Sequence, residues 1–146
     1  MNILKILTEK RIKGNLGEDA SAKFLKKNGY KILERNFVDD GHEIDIVAYD
    51  KKRSTVVFVE VKTRSVGNIG KMESRPAASV TPEKQRKIIS ASTRFMSRVG
   101  RNKRMRYDVI EVFLENVGGK DKVKEIKHLV SAFDFNTAYD KRFCKI

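Results

Sequence analysis

The stretch Thr55-Val-Val-Phe-Val-Glu-Val-Lys-Thr63 decides the fold, because it is an apolar run that carries two charged side chains. Its β-branched and aromatic residues favour a buried strand. Side chains alternate along a strand, so Glu60 and Lys62 lie on one face, about 7 Å apart, together with Val56 and Phe58. An acid and a base placed so in an apolar strand require a physical reason.

A second short strand, Ile44-Asp-Ile-Val-Ala48, precedes this stretch, and the polar residues 50–53 between them predict a hairpin. In a register that places Asp45 directly opposite Glu60, their Cβ atoms are about 4.5–5.5 Å apart. The alternation puts three apolar residues on the face opposite to Asp45, namely Ile44, Ile46 and Ala48. Two carboxylates this close repel each other unless a cation lies between them.

The apolar spacing before these strands predicts a helix over residues 15–28, with Asn15 as its N-cap. Within this helix Glu18 points toward the core, on the same side as Leu25. The preceding sequence is also compatible with a separate short helix over residues 2–12. Glu18 is therefore a third acid that is directed inward.

A second helix begins at Thr81-Pro82-Glu83, which supplies an N-cap, a proline in the first turn and an acid, and it ends near Val99. Gln85 lies on the apolar side of this helix. The remaining strands are predicted over residues 30–37, 107–114 and 123–130. This order of elements predicts an α/β fold, with a mixed sheet of about five strands flanked by helices.

Length and composition indicate one domain over residues 1–146, because 40% of the residues are hydrophobic and can form a single core. No apolar run approaches the ~20 residues that span a bilayer. The N-terminal residues lack the continuous apolar segment of a signal peptide. The single cysteine, Cys144, excludes a disulfide framework. We therefore expect a cytoplasmic protein with no membrane partner.

The formal net charge of +13 favours a polyanionic partner, which could be DNA, RNA or anionic lipid. Between residues 84 and 106 every charged side chain is basic. These residues are Lys84, Arg86, Lys87, Arg94, Arg98, Arg101, Lys103, Arg104 and Arg106. A solvated surface is the ordinary explanation for such a run, but surfaces normally intersperse the two signs of charge. We therefore expect this stretch to contact the phosphates of a nucleic acid.

Each inward polar residue has an ordinary explanation when it is taken alone. Glu18 could lie at the boundary of the core, Asp45 and Glu60 could pair with arginines, and Lys62 could be solvated at a strand end. Together they require several exceptions to local rules on adjacent elements, and such exceptions tend to coincide at functional sites. Two carboxylates suit Mg²⁺ or Mn²⁺, which prefer oxygen ligands, keep several waters and also bind phosphate.

Five blocks of sequence carry a family resemblance. They are Gly14-x-x-Gly17-Glu18-x-x-x-Ala22-x-x-Leu25, Glu43-Ile44-Asp45-Ile46-Val47-Ala48, Val57-Phe58-Val59-Glu60-Val61-Lys62-Thr63-Arg64, Thr81-Pro82-x-Lys84-Gln85-x-Lys87-Ile88 and Arg106-Tyr107-Asp108-Val109-Ile110-Glu111-Val112. In this order they resemble the YraN-like family of small bacterial proteins, which is similar to archaeal Holliday-junction resolvases. The resemblance covers about residues 12–135. Asp45 with Glu60-Val61-Lys62 also resembles the Asp…(Asp/Glu)-x-Lys motif of restriction-endonuclease-like nucleases.

The resemblance implies a restriction-endonuclease-like fold and assigns roles to five residues. Asp45 and Glu60 are implied to be metal ligands, and Lys62 is implied to be the catalytic lysine. Glu18 is implied to assist the metal as a further ligand, and Gln85 is implied to support the site.

This resemblance leads us to expect a Mg²⁺- or Mn²⁺-dependent deoxyribonuclease that acts on branched, repair or recombination intermediates. The chain departs from the motif at Ile44, where many nucleases have proline, and at His42, where we expect a glycine. A nucleic-acid-binding module without turnover and a nuclease that acts on RNA remain open. Resolvase-like relatives often act as dimers, so the resemblance also implies a homodimer.

Overall fold

The structure, a computed structural model, describes residues 2–66, 80–100 and 103–140, so Arg101 and Cys144 lie outside the described residues. The strands are β1 (Tyr30–Asp39), β2 (His42–Asp50), β3 (Thr55–Ser65), β4 (Arg104–Val117) and β5 (Lys120–Phe133). The helices are α1 (Ile3–Lys27), α2 (Pro82–Val99) and α3 (Phe135–Ala138).

The five strands form one mixed sheet in the spatial order β1-β2-β3-β4-β5. β3 and β4 are parallel, and α2 lies between them in the chain, whereas the other neighbouring strands are antiparallel. The structure confirms the predicted α/β fold, and a five-stranded mixed sheet flanked by helices is consistent with the restriction-endonuclease-like architecture.

The two faces of the sheet carry separate apolar cores. On one face α1 packs against a cluster that includes Ile46, Val57 and Val59. On the other face α2 covers a cluster that includes Val56 and Phe58. β3 is therefore buried on both sides, as its apolar sequence predicts, and its charged residues must be accommodated inside the protein.

The predicted start of the first helix, with Asn15 as its N-cap, is wrong. α1 is continuous from Ile3, and Asn2 is its N-cap, whose side chain accepts a hydrogen bond from the Leu4 N–H at 3.0 Å. Gly14 lies inside this helix. A glycine in a helix lowers its stability by only about 1 kcal/mol relative to alanine and keeps its backbone N–H, so it does not have to end the helix. Residues 3–12 of α1 are exposed to solvent.

Strands β2 and β3 diverge at the two predicted acids. The pair Ile46–Val59 ends the hydrogen-bonded part of this hairpin, in agreement with the predicted register. Asp45 and Glu60 lie one residue beyond that pair, where the two strands no longer pair with each other. The face predicted for Ile44 is wrong, because Ile44 packs in the core under α2 whereas Ile46 packs in the core under α1. The alternation of side chains therefore breaks between Ile44 and Ile46, at the point where β2 no longer pairs with β3.

Gly17 determines how closely α1 approaches β3. A Cβ atom on Gly17 would overlap Thr63 Oγ1 and would lie 3.1 Å from Thr63 Cβ. Rotation about χ1 of Thr63 could move Oγ1 away, but the threonine Cβ atom would stay 3.1 Å from the added atom, which is closer than ordinary packing allows. The close approach places Glu18, the next residue of α1, near enough to Asp45 and Glu60 for their charges to interact.

We predict that Gly17→Ala lowers the free energy of unfolding by about 1–3 kcal/mol, because the added methyl group overpacks the contact with Thr63. Gly14→Ala is the matched control, since a Cβ atom at Gly14 meets nothing within 4 Å. That change should stabilise the protein by up to about 1 kcal/mol through helix propensity. Urea unfolding measures both, and equal stability of the two variants would show that α1 does not approach β3 so closely.

Candidate active site

Asp45, Glu60 and Lys62 lie together at the point where β2 and β3 diverge. Asp45 Oδ2 accepts a hydrogen bond from the Val61 N–H at 2.8 Å. Glu60 is 5% exposed, and its Oε1 lies 3.4 Å from Lys62 Nζ. The other carboxylate oxygen, Glu60 Oε2, is buried and has no hydrogen-bond partner in the structure. The protein thus positions an acid pair and a lysine while leaving one buried acceptor available for a ligand.

The carboxylates of the site raise one another's pKa, because like charges repel. Burial and the charge of Glu60 raise the pKa of Asp45 well above its usual range, although the Val61 N–H opposes this effect. Burial also raises the pKa of Glu18, which the guanidinium of Arg35 opposes and the charges of Glu43 and Glu60 increase. A cation between these carboxylates would relieve both effects.

Asn36 is a residue of the site that the sequence analysis missed. Its amide, oriented with the nitrogen toward the acids, donates to Glu18 Oε1 at 2.9 Å and to Glu43 Oε1 at 3.0 Å. Asn36 has a φ of 52°, in the left-handed region that asparagine enters more readily than most residues. The sequence contained one indication of this role, because asparagine is uncommon inside a strand. The two hydrogen bonds of Asn36 connect β1 to the acidic side chains of the site.

Four buried side-chain atoms in the described part of the chain lack a hydrogen-bond partner, and they lie in one region. They are Glu60 Oε2, Arg64 Nε, Gln85 Oε1 and Glu111 Oε2. Glu60 and Arg64 share one face of β3, and Glu111 lies beside Lys62 on β4. Gln85 is on the buried side of α2, which packs on that face. Buried polar groups are normally paired, so this concentration indicates a functional site rather than a structural core.

Gln85 and Glu111 are both held in place by the protein. Gln85 Nε2 donates to the Val80 carbonyl at 2.9 Å, which fixes the orientation of its amide. Glu111 is 1% exposed and lies 3.8 Å from Arg64 Nε. Burial raises the pKa of Glu111, and the charge of Arg64 opposes this. Glu111 was also missed as a site residue, although an acid inside the apolar run 109–114 is the same signal that identified Glu60.

The donor set at Asp45 and Glu60 fits a divalent cation. Mg²⁺ is usually bound by one or two carboxylates and keeps several waters. Within residues 2–66, 80–100 and 103–140, no three His, Cys, Asp or Glu side chains are arranged to hold a metal ion. The protein would therefore supply two carboxylates rather than a closed cage. The unpartnered, buried Glu60 Oε2 supports this fit.

The basic residues predicted to contact phosphates do not form one continuous surface. Arg94 lies 3.5 Å from Asp39, Lys87 lies 3.5 Å from Glu83, and the Arg98 guanidinium lies over the Phe37 ring. Lys84 and Arg86 also lie on α2, and Arg86 donates to the Ala138 carbonyl at 2.9 Å. Arg106 belongs to the interior, where it binds Asp50 and Asp108 at 2.9 Å each. The prediction of a phosphate contact is therefore unsuitable for Arg106 and stays a prediction for the others.

Lys103 and Arg104 lie apart from α2, at the opposite end of β3 from Lys62. They line a cleft of about 1000 Å³ together with Lys52 and Arg53, which follow β2. The two basic segments are far apart in the sequence, so the sequence alone did not predict this cleft. The parallel pairing of Thr55 with Arg104 brings them together. None of the helices that the structure describes is both long and apolar enough to cross a membrane.

The model of the uncharacterised protein family UPF0102 matches residues 17–112 of the chain. The chain belongs to the UPF0102 family. It is 42% identical over 127 residues to a UPF0102 protein of Pelobacter propionicus, which covers 86% of this chain and 85% of the relative. It is likewise 42% identical over 125 residues to a UPF0102 protein of Caldicellulosiruptor saccharolyticus, which covers 85% of this chain and 98% of the relative. The YraN-like resemblance is therefore confirmed.

The UPF0102 match contains every residue of the candidate site. Its span of 17–112 begins one residue before Glu18, includes the acids of β2 and β3, and ends one residue after Glu111. The family description and the names of these relatives state no activity. The function of this UPF0102 protein must therefore be argued from the site itself.

Replacing Asp45 by asparagine should stabilise the protein in EDTA by up to about 2 kcal/mol. The change removes a buried carboxyl group that must either carry its charge beside Glu60 or take up a proton on folding, and the asparagine carbonyl can still accept from the Val61 N–H. Glu115→Gln, on a half-exposed acid of β4 that lies 3.9 Å from Lys124, changes the net charge equally and is the control. Thermal unfolding measures both variants, and a lower melting temperature for Asp45→Asn than for the control would contradict the repulsion.

Proposed function

We propose that this protein is a metal-dependent nuclease that hydrolyses phosphodiester bonds, with DNA as its substrate. The observation that carries the proposal is the pair of carboxylates at the divergence of β2 and β3, with Lys62 3.4 Å from Glu60 and one buried carboxylate oxygen unpartnered. The family resemblance supports the same chemistry, because Asp45, Glu60 and Lys62 occupy the positions of a nuclease motif.

Asp45 and Glu60 would hold Mg²⁺ or Mn²⁺, with Glu18 as the assisting acid. When bound, such an ion supplies a water of lowered pKa and neutralises charge that develops on the phosphate. The Val61 N–H keeps the Asp45 carboxylate oriented toward Glu60. Asn36 holds Glu18 beside them, and Gln85 presents an unpartnered carbonyl oxygen on the same side of the sheet.

Lys62 is placed to act on the reacting phosphate. Its ammonium group lies beside Glu60 and is partly shielded from solvent, with 29% of the side chain exposed. A positive charge fixed there stabilises the negative charge that grows on the phosphate oxygens in the transition state. The same ammonium group can donate a hydrogen bond that orients the attacking water.

The charge of the chain supports a nucleic acid as the partner. The cleft of about 1000 Å³ brings Lys52, Arg53, Lys103 and Arg104 to one surface, and such a basic surface attracts the phosphate backbone. A homodimer would bring two active sites to one branched DNA. The reducing cytoplasm, where chromosomal DNA lies, agrees with a chain that contains one cysteine.

A cleavage panel tests the proposal. We predict that the protein cuts at least one of branched, flapped, duplex or single-stranded DNA in Mg²⁺ or Mn²⁺ and not in EDTA, and that Asp45→Asn and Glu60→Gln each abolish cutting while DNA binding persists. Glu115→Gln should cut as wild type does. Binding without cutting in every arm would instead establish a nucleic-acid-binding module, and cutting of RNA alone would overturn the choice of DNA.

We predict that Lys62→Met lowers the single-turnover rate at saturating DNA by at least about 10²-fold, because it removes an interaction made mainly in the transition state. Lys87→Met is the matched control, since Lys87 is an exposed lysine on α2 that pairs with Glu83. The control should cut at the wild-type rate once DNA saturates it. A Lys62→Met protein that loses affinity but keeps the rate would reduce Lys62 to an ordinary phosphate contact.

A further inference from the structure

Two pairs of an acid and a base lie side by side on the face of β3 that α2 covers, and the proposed function uses only one of them. Lys62 Nζ lies 3.4 Å from Glu60 Oε1, and Arg64 Nε lies 3.8 Å from Glu111 Oε2. In each pair the acid is buried, whereas the cation keeps 29% of its side chain exposed. Arg64 follows Lys62 on the same face, about 7 Å farther along the strand. The second pair thus repeats the first.

Glu111 holds Arg64 in place without saturating its hydrogen bonds. Glu111 lies beside Lys62 in the parallel pairing of β3 with β4. Lys127, the residue opposite Glu111 on β5, has its ammonium group over the Phe113 ring. The 3.8 Å between Arg64 Nε and Glu111 Oε2 exceeds the about 2.7–2.9 Å of a charge-assisted hydrogen bond, and neither atom has a hydrogen-bond partner in the described part of the chain. The acid therefore fixes the position of the guanidinium mainly through charge.

The two terminal nitrogens of Arg64 remain available for a ligand. The ion pair with Glu111 uses Nε, which is buried. The terminal nitrogens make no hydrogen bond within residues 2–66, 80–100 and 103–140, yet they are not among the buried atoms that lack a partner, so solvent or a ligand can reach them. A guanidinium edge with two N–H donors matches two oxygens of a phosphate.

Stability alone does not account for this second pair. A buried ion pair can often be replaced by apolar residues without loss of stability, because the desolvation of two charges offsets their attraction. Mutual neutralisation therefore does not explain why an acid interrupts the apolar run of β4 at Glu111. A nucleic acid strand presents phosphates along its length, so a cation in line with Lys62 can meet a phosphate next to the one that Lys62 faces.

We propose that Arg64 binds the phosphate next to the scissile one through its terminal nitrogens, and that Glu111 is the positioning residue that holds it there. This inference rests on the proposed function for the identity of the ligand as a DNA strand. It deepens that function, because it extends the site along β3 beyond Lys62 and gives a role to an acid of β4 that the nuclease motif does not include.

The test compares two double variants that leave the net charge unchanged. Arg64→Gln/Glu111→Gln removes the buried pair, and Lys124→Gln/Glu115→Gln removes an exposed pair of β4 and β5 that lies 3.9 Å apart. Binding of a fluorescent DNA duplex is measured in EDTA over a range of salt concentrations, so that cleavage plays no part. We expect the first variant to bind about 10-fold more weakly or worse, with a log–log salt slope shallower by up to about 1, and the second to match wild type. Equal binding by the two variants, or no binding of DNA by wild type, would overturn the proposal.

Glu111→Gln alone tests the positioning role. It raises the net charge by one, as Glu115→Gln does on the same strand, so the attraction of DNA to net charge alone predicts equal binding by these two variants. We expect Glu111→Gln to bind DNA more weakly than Glu115→Gln, because Arg64 loses the acid that orients it. This loss should vanish when Arg64→Gln is already present. Equal or tighter binding by Glu111→Gln would overturn the role of Glu111.

Arg64→Lys tests the contact in a variant that keeps a cation beside Glu111 and is therefore expected to fold, which thermal unfolding verifies. An ammonium group lacks the guanidinium edge that binds two phosphate oxygens. We expect weaker binding of DNA than wild type with an unchanged salt slope. Wild-type affinity in Arg64→Lys would contradict a contact through the two terminal nitrogens.

These readouts separate the phosphate contact from the nuclease activity. If Arg64→Gln/Glu111→Gln loses DNA affinity but wild type cleaves no DNA with any metal, Arg64 stands as a nucleic-acid contact and the proposed hydrolysis fails. If wild type cleaves DNA and both double variants bind and cleave as it does, the hydrolysis stands and the role of Arg64 and Glu111 fails.

Discussion

The placement of two like charges inside the hairpin is the constraint on which the rest of the structure depends. Asp45 directly precedes the first residue of β2 that pairs with β3, and Glu60 directly follows the last residue of β3 that pairs with β2, in strands whose other side chains are mostly apolar. Such a pair costs free energy unless a cation or a proton offsets it. Three features of the fold accommodate this pair. The strands diverge at the two acids, the Val61 N–H donates to Asp45, and Gly17 allows α1 to approach β3 closely.

The buried charged groups at the two ends of the β3–β4 pair differ in how completely they are hydrogen-bonded. At the start of β4, Arg106 donates to Asp50, Asp108 and Tyr30 at 2.8–2.9 Å, so this network is fully paired. Burial alone would raise the pKa of Asp50, but hydrogen bonds from Arg106 and Arg53 lower it. Toward the other end, Glu60, Arg64 and Glu111 each keep a buried atom without a hydrogen-bond partner, although Arg64 Nε and Glu111 Oε2 form an ion pair at 3.8 Å. The first network stabilises the fold, whereas the second is suited to bind a ligand.

Much of this arrangement could be predicted from the sequence, because alternation in a strand is a strong local rule. It placed Glu60 and Lys62 on one face, and the hairpin set Asp45 against Glu60. The features that were missed depend on tertiary contacts. The glycine at position 14 suggested a break between two helices, whereas α1 is continuous from Ile3. No local pattern in the sequence indicated that Ile44 would pack on the other face of the sheet where β2 and β3 diverge. The burial of Arg106 and the joining of Lys52 to Arg104 in one cleft follow from strand pairing across the chain.

The most direct test of the account is to locate a metal ion in crystals of the protein that have been soaked in Mn²⁺, by anomalous diffraction at the manganese edge. We predict one anomalous peak within coordination distance of both Asp45 and Glu60 Oε2 that is lost in Asp45→Asn crystals. The absence of a peak between these carboxylates, with Mn²⁺ bound elsewhere or not at all, would contradict it.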